Sequence, residues 1–196
     1  MRKNAKEYDG IIIQEPSGLE DWMREKMLAE IGPYRDVDGF LRDSEFKACT
    51  PMGIMQIIET FYPEENLHGV TAAVVGRGEL VGKPLVPMLI DEGCTVISCN
   101  SKTKDMAELI KKADIVISAV GKQNLITRDM LKDGAFVIDA GITFDENGKL
   151  CGDCDKSMYD DESIAITTVP GGAGLTTRLA LMQNVLYATE FRDMLF

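Results

Sequence analysis

Residues 71–84, TAAVVGRGELVGKP, constrain the fold more than any other stretch of the sequence. Small and β-branched residues at its start indicate a buried strand, and a helical pattern begins near Val81 after a glycine turn. Glycines let a backbone bend tightly, and the first N–H groups of a helix have no intrahelical partners and favour an anion. The spacing G-x-G-x-x-x-G is one residue longer than the dinucleotide fingerprint. The stretch therefore predicts either an anion site or a purely structural turn.

Strands alternate with helices from residue 71 onward. We predict strands at 71–75, 95–98, 114–118 and 135–139, separated by helices at 81–92, near 104–112 and near 127–131. This alternation is typical of parallel strands joined by right-handed crossovers. The predicted fold class is therefore α/β, with a doubly wound, Rossmann-like parallel sheet.

Glycine or polar residues follow each of these strands. In a doubly wound sheet the ligand crevice lies outside the carboxyl ends of the strands, so these turns should share one edge. Their common edge favours a binding site over a coincidence of loop composition. The four turns are Gly76-Arg77-Gly78, Asn100-Ser101-Lys102, Val120-Gly121-Lys122 and Gly141-Ile142-Thr143.

The turn after the second predicted strand bears on the choice between nicotinamide cofactors. In NAD sites an acidic residue at the end of that strand holds the ribose diol. Here no carboxylate precedes Asp105, whereas Ser101 and Lys102 are present and Arg77 can reach the same place. Such groups form charge-assisted hydrogen bonds with a 2′-phosphate. The sequence therefore favours NADP over NAD, with a solvated basic loop as the alternative.

The chain is acidic, with 21 Lys and Arg against 32 Asp and Glu and a formal net charge of −11. This balance argues against nucleic acid or an anionic membrane as a main partner. No segment is apolar for long enough to span a bilayer, and no apolar run follows the basic first residues as in a secretory signal. The five cysteines therefore predict free thiols in a cytoplasmic protein.

Cys151 and Cys154 form a lone C-x-x-C pair. A zinc site would need two further ligands, and the single histidine, His68, lies far away in sequence. We therefore expect no metal site. Two unrelated thiols are the favoured interpretation, and a redox pair is the alternative.

Weaker patterns lie on either side of the alternating region. A β-branched run at 10–13 predicts a strand, and 19–31 has helical periodicity that places Trp22 in the packed face. Thr50 and Pro51 predict a helix start, with Thr50 as the cap, and that helix runs to about Phe61. The chain closes with the glycine-rich run at 169–174 and a helix from Thr176 to about Phe191.

Ordered motifs from about residue 9 to residue 188 resemble those of the bifunctional methylenetetrahydrofolate dehydrogenase/cyclohydrolase family. DGIIIQ is similar to the family's strand ending in glutamine, and RDVDGF to its substrate-domain loop. VGRGELVGKP is similar to its cofactor turn, which usually has serine where Gly78 stands. The other matching motifs, in the family's order, are CTPMGI, CNSKTK, VISAVGK, VIDAGI, GKLCGDCD and TVPGGAGLTT.

The resemblance implies two lobes with a folate cleft between them. It implies hydride transfer from methylenetetrahydrofolate to NADP, followed by hydrolysis of the methenyl product. Gln14 would support the general base and Asp38 would hold the pterin, which makes them the candidate catalytic residues. The folate side would be lined by Gly171, Gly172, Ala173 and Gly174. The turn chemistry and the resemblance together give the candidate cofactor residues Gly76, Arg77, Gly78, Gly82, Ser101, Lys102, Val120, Gly121 and Ile142.

The chain departs from the family near its start. The family carries a Tyr-x-x-x-Lys helix before the strand ending in glutamine, whereas nine residues precede Gly10 here. We therefore expect a truncated second lobe, with impaired cyclohydrolase activity or a need for a homodimer or a separate partner lobe. The expected division is 1–65 as the remnant of the substrate lobe, 66–175 as the NADP-binding domain, and 176–196 as a C-terminal helix that packs back on the first lobe.

Two other functions stay open at this point. The chain could be an NADP-binding protein that has lost folate chemistry and acts by interaction. It could also be a reductase or dehydrogenase that uses the same cofactor half on another substrate. Methylenetetrahydrofolate-dependent NADP reduction separates both from the folate enzyme.

Overall fold

A five-stranded parallel sheet forms the centre of the protein in the computed structural model, which describes residues 7–14, 17–63 and 67–195. Its long strands are β1 (Thr71–Val75), β2 (Thr95–Cys99), β3 (Ile115–Ser118) and β4 (Phe136–Asp139). Two-residue strands follow: β5 (Thr143–Phe144), β6 (Leu150–Cys151) and β7 (Ala165–Ile166). The sheet has the order β2-β1-β3-β4-β7, and β5 and β6 form a separate antiparallel pair. The predicted α/β fold with a parallel sheet is confirmed.

Five α-helices occur within the described residues. They are α1 (Asp21–Ile31), α2 (Cys49–Phe61), α3 (Gly82–Asp91), α4 (Met106–Ile110) and α5 (Ala173–Leu195). The segment predicted as a helix near 127–131 is a 3-10 turn at Arg128–Met130. Both the closing helix and α2 begin before their predicted starts, because Ala173 and Cys49 are already helical.

The sheet is buried on both faces, which explains why its strands read as continuous apolar runs. Alternate residues of β1 point to opposite sides, so Ala72 and Val74 pack with α2 and α3. Ala73 and Val75 pack against the other face, with Ile110 of α4. The two apolar layers hold the strands rigidly, and the turns at their carboxyl ends are therefore fixed in space.

The chain reverses its direction of winding between β1 and β3. From β1 it crosses to β2 on one side, and then returns to place β3 on the other side of β1. Ligands of open α/β sheets bind outside the carboxyl ends of the strands at such a switch point. The fold therefore places the crevice between the turns at Gly76 and Ala119.

Three local predictions for the first half of the chain are wrong. Residues 10–13 form no strand and make one isolated parallel bridge, from Ile11 to Asp36. Trp22 is 56% exposed, because α1 buries Leu28 and Ile31 instead. The residue that precedes α2 is Ala48, so Thr50 lies within the first turn of the helix and does not cap it.

Helix α5 packs along α2 and reaches the loop that carries Asp38. The Asn184 side chain is buried, and its Nδ2 donates to the carbonyl oxygens of Val37 at 2.8 Å and Lys47 at 2.9 Å. The Asn184 amide thus supplies hydrogen-bond donors to loop carbonyls that are not paired within a helix or a strand. In this way α5 holds the loop that carries Asp38 in place.

Candidate active site

The glycine turn after β1 packs directly against the turn after β3. Gly76 has a φ of 108°, and a Cβ there would lie 2.5 Å from the carbonyl oxygen of Ala119. A Cβ at Gly82 would overlap the carbonyl oxygen of Gly76. Both glycines therefore allow the start of α3 to approach the switch point. At Gly78, by contrast, a Cβ would have no neighbouring atom within 4 Å, so this position faces open space.

Arg77 lies along the end of β2. Its Nε donates to Ser98 Oγ at 3.0 Å, and its Nη2 donates to the Ser98 carbonyl oxygen at 2.5 Å. These bonds hold the guanidinium beside the loop that contains Ser101 and Lys102, both of which are exposed. The Lys102 N–H donates to Asn100 Oδ1 at 2.9 Å and shapes that loop. The three predicted phosphate-binding residues therefore lie at one corner of the sheet.

A cleft of about 430 Å³ opens between this edge and the first segment of the chain. It brings together six of the predicted site residues: Gln14, Asp38, Gly78, Val120, Gly121 and Ile142. Gln14 and Asp38 enter from one side, and the turns of the sheet form the other. Predicted folate residues and predicted cofactor residues thus line one cleft, which is the arrangement that transfer between two bound molecules requires.

A second cavity, of about 380 Å³, adjoins the cleft. It is lined by the glycine-rich run that includes Gly171, Gly172, Ala173 and Gly174. The two cavities share the lining residues Thr50, Ala140, Gly141, Ile142 and Thr177. The predicted folate-lining run therefore faces a space that adjoins the cleft. Gly76, Arg77, Gly82, Ser101 and Lys102 line neither cavity.

Asp38 is held from behind by the start of α2. The Cys49 N–H donates to the Asp38 carbonyl oxygen at 3.2 Å. The Cys49 thiol donates to the Val37 carbonyl oxygen at 3.4 Å, and burial, with the negative charge of Asp38 adding to it, raises the thiol pKa to about 12. The thiol therefore stays protonated and, as a donor to Val37, helps to hold the loop that carries Asp38.

Two buried aspartates organise the sheet edge, and neither was predicted from the sequence. Asp153 accepts from the Ser118 hydroxyl and from the N–H groups of Val120 and Lys122, each at 2.7 Å. Its carboxylate therefore fixes the turn that contains the candidate cofactor residues Val120 and Gly121.

Asp139 fixes the neighbouring turns in the same way. It accepts from the N–H groups of Gly141 at 2.9 Å, Asp153 at 3.0 Å and Cys154 at 2.8 Å. The sequence drew attention to the cysteines of CGDC, whereas the aspartate between them is the organising residue. The signal available was the combination of a strand ending in aspartate with a glycine-aspartate pair.

The C-x-x-C pair shows no sign of a reactive site. Cys151 and Cys154 are free and buried, and burial raises the pKa of the Cys154 thiol, with Asp139 adding to the shift. Within 7–14, 17–63 and 67–195, no group of three or more His, Cys, Asp or Glu is arranged to hold a metal ion. No helix in these ranges is long and apolar enough to cross a membrane.

Other cleft-lining residues were also missed as site residues. Thr50 was predicted as a helix cap, and Thr177 was placed only within the last helix. Phe40, Leu80 and Val81 also line the cleft. Residue type gives no signal for these positions, because each becomes a lining residue only when distant segments meet.

Comparison with known proteins places these features in a family. Residues 48–193 match the model of the tetrahydrofolate dehydrogenase/cyclohydrolase NAD(P)-binding domain. The chain is 39% identical over 198 residues to the bifunctional protein FolD of Staphylococcus aureus strain Newman, and the match covers 96% of this chain and 68% of that relative.

Solved structures of similar proteins share the fold. The bifunctional FolD enzyme of Campylobacter jejuni is 35% identical with a TM-score of 0.83, and the match covers 94% of this chain and 68% of the other. The Trypanosoma brucei enzyme, solved in complex with NADP cofactor and an inhibitor, is 28% identical with a TM-score of 0.85. That match covers 100% of this chain and 73% of the other.

Proposed function

Because the chain belongs to the tetrahydrofolate dehydrogenase/cyclohydrolase family, we propose that it is an NADP-dependent methylenetetrahydrofolate dehydrogenase and methenyltetrahydrofolate cyclohydrolase. The observation that carries this proposal is the single cleft lined by Gln14 and Asp38 on one side and by Gly78, Val120 and Gly121 on the other. A folate and a nicotinamide bound there would meet at the switch point of the sheet.

The residues at the end of β2 suit the phosphate that distinguishes NADP from NAD. Arg77 is exposed and anchored through Ser98, so its remaining N–H groups are held in place and open to a ligand. Ser101 and Lys102 add a hydroxyl and a second cation, and no acidic residue stands where an NAD site holds the ribose diol. NADP, when bound, supplies the hydride acceptor.

The remaining chemistry falls to residues on the folate side. Asp38 would hold the pterin through its hydrogen-bonding edge, with the Cys49 thiol and the Asn184 amide keeping its loop in position. Gln14 would orient the general base that transfers the proton. Gly171, Gly172, Ala173 and Gly174 would let the folate approach the backbone of the adjoining cavity closely.

Hydride transfer asks less of the protein than hydrolysis does. It depends mainly on holding donor and acceptor in line, whereas a positioned acid or base contributes about 10²–10⁴-fold to hydrolysis. The acid–base residues of the folate side should therefore matter more for hydrolysis than for hydride transfer.

The test is methylenetetrahydrofolate-dependent NADP reduction by the purified chain, followed beside methenyltetrahydrofolate hydrolysis. We expect NADP reduction that Asp38→Ala lowers at least tenfold, because the pterin loses its partner. Tight NADP binding without any folate turnover, alone or with candidate partner proteins, would contradict the proposed activity.

Cofactor choice is tested separately by titration calorimetry. We expect tighter binding of NADP than of NAD, and Arg77→Ala should weaken NADP binding by about 1–3 kcal/mol while leaving NAD nearly unchanged. Equal affinities for the two cofactors in the wild-type chain would contradict the role given to Arg77, Ser101 and Lys102.

Assembly and location complete the proposal. Large apolar side chains are exposed on one face of α5, with Leu175 54%, Leu179 49%, Met182 64% and Leu186 64% exposed. Such a face supports pairing with a second copy or with a separate lobe. The five free, buried cysteines support a reducing, cytoplasmic location. Light scattering of the purified chain tests the self-pairing, and a strict monomer would contradict it.

A further inference from the structure

The cavity beside the main cleft is mostly apolar and has one cation at its rim. Ile142, Leu150, Val169, Pro170 and Leu175 contribute apolar surface to it. Asp139 is the only acid among its lining residues, and its carboxylate accepts three backbone N–H groups. Arg178 is the only cation among them. The cavity therefore suits a flat apolar group that ends in a negative charge.

Arg178 is fixed at this rim by its own helix. Its Nε donates to the Gly174 carbonyl oxygen at 3.3 Å, one turn back along α5. Side chains of a helix lean toward its N-terminus, so the guanidinium lies over the first turn of α5. A guanidinium has five N–H donors, of which this bond uses one. Within the described residues, no ion pair joins Arg178 to a carboxylate.

We propose that Arg178 is a specificity-determining residue that binds the glutamate carboxylates of the folate substrate. The proposal rests on the proposed function, which places the pterin beside Gln14 and Asp38. A folate continues from its pterin through an aromatic ring to glutamate, and the two cavities adjoin at Thr50 and Thr177, which line both. The aromatic ring would lie against the apolar lining, and the glutamate would reach the rim at Arg178.

This carboxylate subsite is separate from the phosphate-binding corner. Arg77, Ser101 and Lys102 lie at the end of β2, on the far side of β1 from β3 and β4, and line neither cavity. Arg178 follows the glycine-rich run at the start of α5 and borders only the second cavity. A substitution at Arg178 should therefore change folate affinity and leave NADP affinity unchanged.

The experiment compares two ligands that differ only in glutamate. Tetrahydrofolate and tetrahydropteroate, which lacks glutamate, are titrated by calorimetry into the wild-type chain, Arg178→Ala and Arg178→Lys. Lys112→Ala serves as the matched control, because it removes one exposed positive charge from the end of α4. Binding needs no turnover, so the result is independent of catalytic rate.

We expect the wild-type chain to bind tetrahydrofolate about tenfold more tightly than tetrahydropteroate, the effect of about one charge-assisted hydrogen bond. Arg178→Ala should remove this preference for tetrahydrofolate without changing the affinity for tetrahydropteroate or NADP. Arg178→Lys should keep part of the preference, and the control Lys112→Ala should keep all of it. Equal wild-type affinities, or an equal loss for both ligands in Arg178→Ala, would overturn the subsite alone. Failure of the wild-type chain to bind either folate would overturn the proposed function with it.

Discussion

Replacing Asp153 by Asn tests whether a buried carboxylate shapes the cofactor edge. Asp153 is fully buried, and its two oxygens face three donors, namely the Ser118 hydroxyl and the N–H groups of Val120 and Lys122. An asparagine has the same shape, but its amide nitrogen is a donor. Whichever way the amide turns, at least one backbone N–H then meets another donor.

The size of the effect follows from these bonds. A hydrogen bond to a charged group contributes about 1.5–3 kcal/mol, and a buried donor without a partner costs about 1–3 kcal/mol. In Asp153→Asn one of these hydrogen bonds is lost and the remaining ones no longer have a charged acceptor. The free energy of unfolding should therefore fall by about 3 kcal/mol. For a chain of this size each kcal/mol corresponds to roughly 2–4 °C, so the melting temperature should fall by roughly 6–12 °C. NADP affinity should fall by about tenfold, because binding must then order the turn.

Urea unfolding and NADP titration measure the two effects. Asp161→Asn is the matched control, because Asp161 accepts from the N–H and hydroxyl of Ser163 at the opposite edge of the sheet. That variant should leave NADP affinity unchanged. An Asp153→Asn chain that unfolds and binds NADP like the wild type would refute the role of the carboxylate. A loss of stability with unchanged NADP affinity would refute its link to the cofactor turn.

Three further predictions concern stability and reactivity. Gly82→Ala should lower the free energy of unfolding by about 1–3 kcal/mol in a urea titration, because its Cβ meets the rigid Gly76 carbonyl. Gly78→Ala is the control, because its Cβ would enter open space and should leave the free energy of unfolding unchanged. Iodoacetamide at pH 8 should label Cys49 only after unfolding, because its pKa is raised to about 12; rapid labelling of the folded chain would contradict this. Burial raises the pKa of Asp36 above its unfolded value of about 3.9, so the folded protein binds its proton more tightly than the unfolded chain does. The free energy of unfolding of the wild type should therefore fall as the pH rises from about 3.9 through the raised pKa, whereas that of Asp36→Asn should not. Urea titrations at a series of pH values measure this difference, and parallel profiles for the two proteins would show the sign to be wrong.

The sheet was predictable because its pattern is local. Each long strand is a run of four or five mainly apolar or β-branched residues between turn residues, and β1, β3 and β4 are buried on both faces. The strand β7 and the pair β5 and β6 were missed, because two residues are too few to show a period. The segment at 10–13 has strand-like residues, but its one bridge is to Asp36, and no local pattern shows that such a pairing stops after one residue.

The site was predictable where chemistry follows a strand end directly. Gly78, Val120, Gly121 and Ile142 follow β1, β3 and β4 closely, and the sheet brings all four to the cleft. Thr50 could not be placed in this way, because its position in the cleft depends on how α2 meets the sheet and α5. Propensity assigns threonine to a helix cap, and tertiary packing decides otherwise.

The two buried aspartates pack closely against two glycines. A Cβ at Gly141 would overlap the Asp153 carboxylate, and a Cβ at Gly152 would overlap the Asp139 carboxylate. The Asp139 carboxylate accepts from the N–H groups of Gly141 and Asp153, so it holds the backbone at one glycine and directly after the other. A side chain at either glycine should therefore displace a carboxylate and with it the turn that the carboxylate holds. The shape of the cofactor edge is therefore set by residues behind it as much as by the residues that line the cleft.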